Sequence, residues 1–487
     1  MDVLIVGAGP SGLVLANVLA WYGVSFRIVD RKAGPVPQSR AAIVHTRTLE
    51  LLDRLGLKER AVARGVPATR VEIFQRGRHA AGFPLSVGGA ATPLVLTQDQ
   101  TERLLVEGLA ERGGRVEWNT ELVALDGDAA VIRGPGGPRE RVVSRWLVGA
   151  DGASNRVRRA LALGFSGKTY DQTGLLADVE LDPAPRPGTL RLNLTRGGFV
   201  GMLDLGNGCC RLFGAVPPGL DRPDPGGGGV SHDPYAAVSP AQIQRWFDEV
   251  FAVQATVTAA SWTALFRIHS RMTERFRVAN TFLVGDAAHV HSPAGGQGMN
   301  LGIGDAVNLG WKLGLVAAGR AHERLLDSYE AERVPVARTV LRGTDRGFAL
   351  ETTDSPVASW FRANVATRLV GPLMRLRPVR DRVSQLFAQT WIRYPESPIV
   401  SGPHAGDRLP PGFVPADLHH HLVVPDEDSL ARAESTLANH PLDVRFHLRP
   451  AAHRQLRLVR PDGHLGYAGA AATLPGYLDR TYGPPAA

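Results

Sequence analysis

Short apolar runs separated by glycine- or proline-containing turns mark the beginning of the chain. Residues 3–6 are four consecutive aliphatic residues, which predicts a strand buried on both faces of a parallel sheet. An apolar helix is predicted to begin at Pro10, since proline is favoured in the first turn of a helix. Residues 24–29 form a second apolar run and predict the next parallel strand. The chain therefore opens with a strand–helix–strand unit.

The pattern changes in the middle of the chain. From about residue 174 to 269, strand-length apolar runs alternate with polar, glycine and proline turns, which indicates antiparallel strands. An amphipathic helix over residues 239–251 interrupts them. Further helices are predicted at residues 101–112 and 298–312, and helical periodicity extends from about residue 334 to 389. Strands before, between and after helices predict an α/β chain.

Length and composition restrict the class of protein. The 487 residues exceed what one hydrophobic core usually serves, so two or three domains are expected. Hydrophobic residues make up 44% and charged residues 21%, as in globular proteins. Glycines and Pro10 interrupt the first apolar stretch, which argues against a membrane span, and no signal peptide precedes the first strand.

Cysteine usage and charge narrow the class further. Cys209 and Cys210 are adjacent and cannot form a disulfide framework or a zinc site, which fits a cytoplasmic protein without a metal site. The formal net charge is +8, but the basic residues are arginines scattered without a long basic run. We therefore expect no nucleic-acid partner and no membrane partner.

A glycine motif follows the first predicted strand. Gly7, Gly9 and Gly12 have the G-x-G-x-x-G spacing, and the helix after them opens with Pro10 and Ser11. The first glycine permits a tight turn, the second lets the backbone approach a pyrophosphate, and the third lets helix and strand pack closely. The first N–H groups of the helix face the same anion. The motif predicts a dinucleotide site.

An acidic residue ends the second predicted strand. The Asp30 carboxylate, with Arg31 after it, stands where such sites hold an adenosine ribose. A glycine-rich turn in an ordinary α/β protein would explain one or two glycines but not this acid. Asp30 argues against a 2′-phosphate on this ribose, while the motif does not by itself distinguish NAD from FAD.

A second glycine loop lies almost three hundred residues later. An apolar strand is predicted to end at Gly285 and Asp286, and a glycine loop, residues 295–298, precedes a long helix. The alternative is a flexible turn, but the position between an acid-ended strand and a helix favours a cofactor loop. Such a helix start presents N–H donors and a partial positive charge to an electron-rich ring.

In combination, these motifs resemble the FAD-dependent aromatic hydroxylases, the single-component flavoprotein monooxygenases of the p-hydroxybenzoate hydroxylase type. The segment from Gly285 to Lys312 is similar to the subgroup that oxidises phenols and bacterial polyketides. The resemblance covers about residues 1–345 and rests on the order of five motifs along the chain. These are the dinucleotide fingerprint, Ser39-Arg40-Ala41, Gln98 with Glu102, Asp151-Gly152, and Gly285-Asp286 with its loop.

The resemblance implies a reaction and its cofactors. NADPH or NADH would reduce FAD, molecular oxygen would add at flavin C4a, and the hydroperoxide would hydroxylate a phenolic, polycyclic polyketide-type substrate. Related flavin oxygenases that perform Baeyer–Villiger oxidation, epoxidation or antibiotic inactivation remain alternatives, as does a non-catalytic FAD-fold binding protein. No second dinucleotide fingerprint is present, which favours transient nicotinamide docking. A monomer or homodimer is expected.

The resemblance also implies site residues. The expected FAD contacts are Gly7, Gly9, Pro10, Ser11, Gly12, Asp30, Arg31, Arg40, Gln98, Asp151, Asp286, Pro293, Gly295, Gly296, Gln297, Gly298, Met299 and Asn300. Four of them are also the catalytic candidates, namely Arg40, expected near the phosphates, and Pro293, Gly295 and Gly296, expected beside the isoalloxazine ring. Two departures from the family pattern are Asn155, where serine is usual, and Gly304, where a larger polar residue is usual.

The implied domains follow the same resemblance. A Rossmann-type FAD-binding domain is expected at residues 1–75, 97–173 and 271–345, with a mostly antiparallel substrate domain inserted into it at residues 76–96 and 174–270. A helical linker is expected at residues 346–395 and a thioredoxin-like C-terminal domain at residues 396–487. The last of these has no C-x-x-C motif, so no redox role is expected for it.

Several conspicuous residues are expected to be structural. His289 and His291 lie beside the second loop, where histidines more often satisfy backbone groups than transfer protons. The His419–His421 run is expected in a solvated loop. Four aromatic residues are candidates for lining the substrate cavity, namely Phe213, Trp246, Trp262 and Phe266. Core packing is nevertheless the expected role for each of them.

Overall fold

The computed structural model describes most of the chain, namely residues 1–35, 41–75, 78–85, 91–195, 198–206, 208–215, 240–251, 254–292, 296–352, 372–438, 440–450 and 455–484. The strands are β1 (Val3–Val6), β2 (Phe26–Asp30), β3 (Ile43–Val44), β4 (Val66–Pro67), β5 (Arg70–Gln75), β6 (Arg78–Pro84), β7 (Leu94–Val95), β8 (Val116–Trp118), β9 (Glu121–Asp126), β10 (Ala129–Arg133), β11 (Arg139–Val143), β12 (Trp146–Gly149), β13 (Ser166–Asp182), β14 (Thr189–Thr195), β15 (Gly198–Gly206), β16 (Cys209–Ala215), β17 (Thr256–Met272), β18 (Arg277–Val278), β19 (Thr281–Leu283), β20 (His289–Val290), β21 (His420–Val424), β22 (Val444–Leu448), β23 (Leu456–Val459) and β24 (Leu465–Gly469).

The helices of the described residues are α1 (Pro10–Trp21), α2 (Thr46–Arg54), α3 (Lys58–Arg64), α4 (Gln98–Glu111), α5 (Arg156–Ala160), α6 (Pro240–Val250), α7 (Gly298–Ala317), α8 (Asp327–Thr352), α9 (Arg377–Ala388), α10 (Glu427–Leu437) and α11 (Leu474–Thr481). Several boundaries differ from prediction by a few residues. For example, β2 begins at Phe26, α4 begins at Gln98, and α7 continues to Ala317. None of these helices is both long and apolar enough to cross a membrane.

A central sheet carries the first glycine motif. Within the described residues its order is β18-β19-β12-β1-β2-β8. β1 runs parallel to β2 and β12, and β12 runs parallel to β19. β8 also runs parallel to β2, so the carboxyl ends of five strands lie at one edge, where ligands of open α/β sheets bind.

Glycines in α7 let this helix lie directly on α1. A Cβ placed on Gly310 would come within 2.8 Å of the Val18 side chain, and one on Gly314 would overlap the Tyr22 ring. This close packing explains why a buried helix contains glycines that lower helix propensity. It holds the start of α7 beside the start of α1.

A larger, mostly antiparallel sheet covers the middle of the chain, in the order β20-β17-β13-β16-β15-β14-β5-β6. Side chains alternate between its two faces. One face packs on α6 through the buried Ile243, Trp246 and Phe247, together with Leu175 and Ala177 of β13. The expectation of an α/β chain with an inserted, mostly antiparallel sheet is confirmed.

The C-terminal residues form a smaller sheet, β22-β21-β23-β24, with β21 parallel to β22 and antiparallel to β23. The predicted domain boundaries and the thioredoxin-like character of this part stay predictions.

The expected solvated loop at His419–His421 was wrong. His420 and His421 are buried in β21, which is paired on both edges. Their rings have partners, because His420 Nε2 lies 2.9 Å from the Tyr482 hydroxyl and His421 Nε2 lies 2.9 Å from an Asp417 carboxylate oxygen. Polar residues are stable inside when their hydrogen bonds are made.

Buried charges join the C-terminal sheet to the rest of the molecule. Arg460 donates to both oxygens of Glu332 at 2.6 and 2.9 Å, and Lys312 donates to the same carboxylate at 2.8 Å. Although burial acts to raise it, the two cations hold the pKa of Glu332 well below its usual range. Breaking a buried pair of this kind typically costs about 3–5 kcal/mol.

The buried His420 predicts a loss of stability in acid. Burial, assisted by the Arg460 cation, lowers the pKa of His420 from 6.5 to about 3. The unfolded chain therefore binds the proton first, and stability from this group is complete above pH 6.5 and lost as the pH falls toward 3. One such group removes about 1.4 kcal/mol per pH unit in that window.

We expect the urea unfolding midpoint at fixed ionic strength to fall between pH 6.5 and 5, and to fall less in His420→Gln. The matched control is His404→Gln, since the His404 side chain is 78% exposed. Equal acid slopes in wild type and His420→Gln would contradict this role of the buried ring.

Candidate functional site

The carboxyl edge of the central sheet brings backbone segments together without side chains between them. Gly7 has φ +110°, and a Cβ there would overlap the Ala150 carbonyl after β12. A Cβ on Gly12 would overlap the Gly7 carbonyl, whereas one on Gly9 would have no heavy atom within 4 Å. Gly7 and Gly12 thus serve packing, and Gly9 faces open space, as an approaching pyrophosphate requires.

The second loop reaches the same place. Gly285 has φ +59°, and a Cβ on it would lie 2.5 Å from the Ser11 hydroxyl oxygen. A Cβ on Gly302 of α7 would lie 3.0 Å from the Gly285 Cα. The start of α1, the end of β19 and the first turns of α7 therefore meet in direct contact.

Asp30 fixes the first glycine loop. Its Oδ2 accepts the Ala8 N–H at 2.6 Å and its Oδ1 accepts the Lys32 N–H at 2.8 Å. Each carboxylate oxygen retains a lone pair, so a ribose contact remains compatible with these bonds. Sequence reasoning missed this loop-holding role. Arg31, beside it, is exposed.

Gln98 begins α4 and contacts Ala41 of the Ser39-Arg40-Ala41 motif. Its N–H donates to the Ala41 carbonyl at 2.9 Å, and its side-chain amide donates to Glu102 at 2.9 Å. Burial raises the pKa of Glu102, opposed by the nearby Lys32 cation. Ser39 and Arg40 lie outside the described residues.

Asp151 offers a buried acceptor. Its Oδ2 accepts the Arg156 N–H at 2.7 Å. Its Oδ1 is buried and meets no donor within the described residues. Burial raises the pKa of Asp151 to about 6. A buried carboxylate oxygen without a donor can accept a hydrogen bond from a ligand hydroxyl, so Asp151 Oδ1 fits a sugar-like cofactor group.

The two departures from the family pattern have structural explanations. The Asn155 side chain caps α5 by accepting the Arg158 N–H, as a serine can. A Cβ on Gly304 would lie 3.1 Å from an Arg333 guanidinium nitrogen. Gly304 therefore leaves room for Arg333, which donates to the Leu301 carbonyl at 3.1 Å.

The start of α7 carries the residues that were expected to face the flavin ring. Pro293 and Gly295 lie outside the described residues, while Gly296 has φ +61° and Gln297 is the N-cap without a side-chain cap bond. Gly298 and Met299 supply the first amides of the helix. Asp286 is exposed beside them, with one carboxylate oxygen 4.0 Å from a Cβ placed on Gly298.

Asn300 ties this loop to the β3 segment. Its Nδ2 donates to the carbonyls of Ile43 at 2.9 Å and Gly296 at 3.0 Å, and its Oδ1 accepts the His45 N–H at 2.8 Å. Asn300 therefore orients backbone through a fully buried side chain.

A second side-chain amide, that of Gln389, contacts the second glycine loop. Gln389 adopts the left-handed conformation at the end of α9, with φ +57°. Its buried side chain donates to the Gln297 carbonyl at 3.3 Å and to the Gln297 side-chain oxygen at 2.5 Å. No local motif could have indicated this contact, which joins residues 92 positions apart.

Beneath the loop, a buried carboxylate organises three elements. Asp305 accepts from the Gly285 N–H at 3.1 Å and from Arg333 at 2.6 Å, and it lies 2.7 Å from His289 Nε2. His289 is thus paired with a carboxylate, whereas His291 Nδ1 bonds the Ser292 carbonyl at 2.8 Å. Burial lowers the pKa of His291 to about 4. Each histidine thus makes a hydrogen bond within the protein, as expected for a structural residue.

The large sheet divides the four aromatic candidates between its faces. Trp246 belongs to α6 and lies in the core between this helix and one face, where packing was expected. Phe213, Trp262 and Phe266 cluster with Leu176 on the opposite face. Trp246 is separated from the other three because it belongs to the helix and they belong to strands.

The aromatic face turns toward the cofactor loops. Phe213 and Ile43 belong to one apolar cluster, and Ile43 carbons lie 3.8 Å from a Cβ placed on Gly296. Arg211, paired bidentately with Asp178 at 2.7 Å on this face, reaches within 3.5 Å of the Ala41 carbonyl. Aromatic side chains and the second glycine loop therefore border one region.

Comparison with known proteins extends these observations over the whole chain. A protein-family model described as FAD binding domain matches residues 1–344. The 6-methylpretetramide 4-monooxygenase of Streptomyces rimosus is 37% identical over 444 residues, which cover 88% of this chain and 75% of that protein. The rifampicin monooxygenase of Streptomyces venezuelae is 32% identical over 479 residues, covering 96% of this chain and 95% of that protein.

A solved structure is similar over its full length. The anhydrotetracycline hydroxylase OxyS from Streptomyces rimosus matches with a TM-score of 0.78 and 30% identity, covering 100% of this chain and 99% of that chain. The likeness therefore includes the C-terminal part as well as the glycine loops.

Because Gln389 bonds to the second glycine loop, shortening its side chain is expected to weaken FAD binding. In Gln389→Asn, asparagine tolerates the left-handed backbone but is one methylene too short to reach Gln297. We expect the Kd of the apoprotein for FAD, measured by flavin fluorescence titration, to rise about five- to tenfold, the effect of losing roughly one hydrogen bond.

Gln385→Asn is the matched control, because Gln385 lies on the same helix and is exposed. An unchanged Kd in Gln389→Asn, or an equal rise in the control, would remove Gln389 from the loop-holding role.

Proposed function

Because this chain belongs to the FAD-dependent aromatic monooxygenases, we propose that it hydroxylates a phenolic, polycyclic aromatic substrate of polyketide type. FAD is its cofactor, NADPH or NADH the transient reductant and molecular oxygen the co-substrate. Because its basic residues are scattered and its two cysteines form no framework, we also propose a cytoplasmic monomer or homodimer without a nucleic-acid or membrane partner.

One observation carries the choice of substrate class. The sheet face that carries Phe213, Trp262 and Phe266 borders the second glycine loop through Ile43. Aromatic faces attract flat aromatic ligands in offset-stacked or edge-to-face arrangements. Several relatives bear the names of polyketide or antibiotic monooxygenases, which agrees with this class.

The residues of the two loops would hold the cofactor between them. Gly9 and the first amides of α1 would face the diphosphate, and Asp30 would accept from the adenosine ribose. Asp286 would accept a hydroxyl group of the ribityl chain, and Asp151 would serve both FAD and transient nicotinamide binding. FAD, when bound, supplies the transfer of electrons from the nicotinamide and the activation of oxygen.

The protein contributes orientation and exclusion of water. The first amides of α7 would donate to the electron-rich edge of the ring system, where the helix dipole favours negative charge. Asn300, Gln389 and Asp305 hold those amides in place through buried hydrogen bonds. The apolar sheet face would keep the substrate carbon dry and close to the reacting ring. No protein nucleophile is needed.

The proposal is tested by coupled turnover. Purified holoenzyme is mixed with NADPH or NADH and a panel of phenolic polyketides and monocyclic phenols, while oxygen uptake is followed and products are analysed by mass spectrometry and NMR. We expect product containing one added oxygen on an aromatic carbon. Ring expansion to a lactone would instead identify Baeyer–Villiger chemistry, and cofactor oxidation without any oxygenated product would overturn the proposal.

A second prediction concerns Asp286. Asp286→Ala removes the exposed carboxylate at the start of α7, so the purified variant is expected to lose most of its bound FAD, measured as the ratio of absorbance at 450 nm to that at 280 nm. Asp128→Ala, at an acid 78% exposed in the remote β9–β11 sheet, should remain yellow. A fully flavinylated Asp286→Ala protein would exclude this contact.

A further inference from the structure

We infer that a small cavity behind the second glycine loop is a binding site for one ordered water molecule, which joins Gln389 to Tyr394 and His464. Gln389 holds the loop through its hydrogen bonds to Gln297, so this water belongs to the support of the cofactor region.

The cavity lies between α7 and the turn that joins β23 to β24. Its lining includes Asn300, Gly304, Gln389, Tyr394 and His464, and its volume is about 10 Å³, near the smallest that accommodates a water molecule. The lining residues other than Gly304 are buried. Gly304, where the family pattern has a larger polar residue, supplies no side chain to fill the space.

Tyr394 brings a donor to this cavity. Its hydroxyl oxygen accepts from Arg333 Nη1 at 2.9 Å. Within the described residues, no group accepts the proton of the hydroxyl itself. Buried hydroxyl groups are normally satisfied, so a further partner is expected here.

Gln389 has the opposite requirement. Its Nε2 donates to the Gln297 carbonyl at 3.3 Å. Because a backbone carbonyl can only accept, the bonded atom is the amide nitrogen and Oε1 is the remaining acceptor. Across the part of the chain that the structure describes, Oε1 receives no hydrogen bond, although the residue is buried.

His464 offers a second acceptor. Its Nε2 lies 3.3 Å from the Ile392 carbonyl, so this nitrogen carries the proton and Nδ1 keeps a lone pair in the neutral ring. Burial lowers the pKa of His464, opposed by the nearby Asp462 carboxylate, and a lower pKa favours the neutral ring. Nδ1 is buried 3.3 Å from Asp462 Oδ1 and makes no hydrogen bond to any described residue.

One water molecule would satisfy all three groups. It would accept the Tyr394 proton and donate its two hydrogens to Gln389 Oε1 and His464 Nδ1, and about three hydrogen bonds are usual for a buried water. A bridging water is nearly as favourable in enthalpy as a direct hydrogen bond. The support of the second loop therefore depends on the C-terminal sheet through this molecule.

An anion is the competing occupant, since Arg47 and Arg333 also line the cavity. Both guanidinium groups are already paired, Arg47 with Glu50 at 2.9 Å and Arg333 with Asp305 at 2.6 Å. An anion would also leave the acceptors of Gln389 and His464 without a donor. A neutral molecule that both donates and accepts fits the lining better.

The direct test is a high-resolution crystal structure of the holoenzyme, with and without bromide in the crystals. We expect one density peak within hydrogen-bond distance of Tyr394 Oη, Gln389 Oε1 and His464 Nδ1, without an anomalous bromide signal. The absence of a peak, a bromide signal in the cavity, or a direct bond from Tyr394 to either acceptor would overturn the inference.

Tyr394→Phe removes the donor and keeps the ring. We expect the peak to disappear and the Kd of the apoprotein for FAD, measured by flavin fluorescence titration, to rise about three- to tenfold, because Gln389 loses a partner. Tyr467→Phe is the matched control, since the Tyr467 hydroxyl donates to the Ala470 carbonyl at 2.6 Å and does not line the cavity.

The control should keep both the peak and the Kd of the wild type. A peak retained in Tyr394→Phe would assign any change in Kd to the lost Arg333 contact and would contradict the water site, as would an equal rise of Kd in both variants. If Tyr394→Phe does not fold, the wild-type structure decides the inference alone.

Discussion

Direct backbone contact at the carboxyl edge of the central sheet is the constraint on which the remaining structure depends. Gly7, Gly12, Gly285 and Gly302 occupy positions where a Cβ would meet backbone atoms or the Ser11 side chain. The positive φ angles of Gly7 and Gly285 add a second reason for glycine. Because these segments touch, two loops almost three hundred residues apart can grip one elongated cofactor. A side chain at Gly285 or Gly302 would push the second loop away from Ser11, and one at Gly7 or Gly12 would distort the first loop and its contact with the segment after β12.

Buried hydrogen bonds and ion pairs connect this edge of the central sheet to the C-terminal sheet. Asp305 connects Gly285 to His289 and Arg333, and Glu332, the residue before Arg333, binds Arg460 and Lys312. The C-terminal sheet is thereby joined to the helices that carry the second loop. Such charges are stable inside only when all partners are present. The last part of the chain is consequently a structural component of the cofactor region, although it contains no cofactor motif of its own.

The sequence contained the information for the parts of the site that local rules govern. Glycine spacing, the acids that end strands, and the helix starts are local features, so β1, α1, β19 and α7 were predicted at nearly their observed places. Gln389 was not predictable, because its partner Gln297 is distant in sequence and only tertiary packing joins them. The His419–His421 run was misplaced because three polar residues resemble a loop, while Tyr482 and Asp417 satisfy two of the rings inside. The FAD contacts of individual residues stay predictions.

The alternation of side chains along β13, β16 and β17 has an evolutionary implication. Alternate positions of the same strand lie in different surroundings, one set in the core under α6 and the other on the face that carries Phe213, Trp262 and Phe266. A substitution on one face therefore leaves the side chains of the other face in place, so the sequences of the two faces can diverge separately.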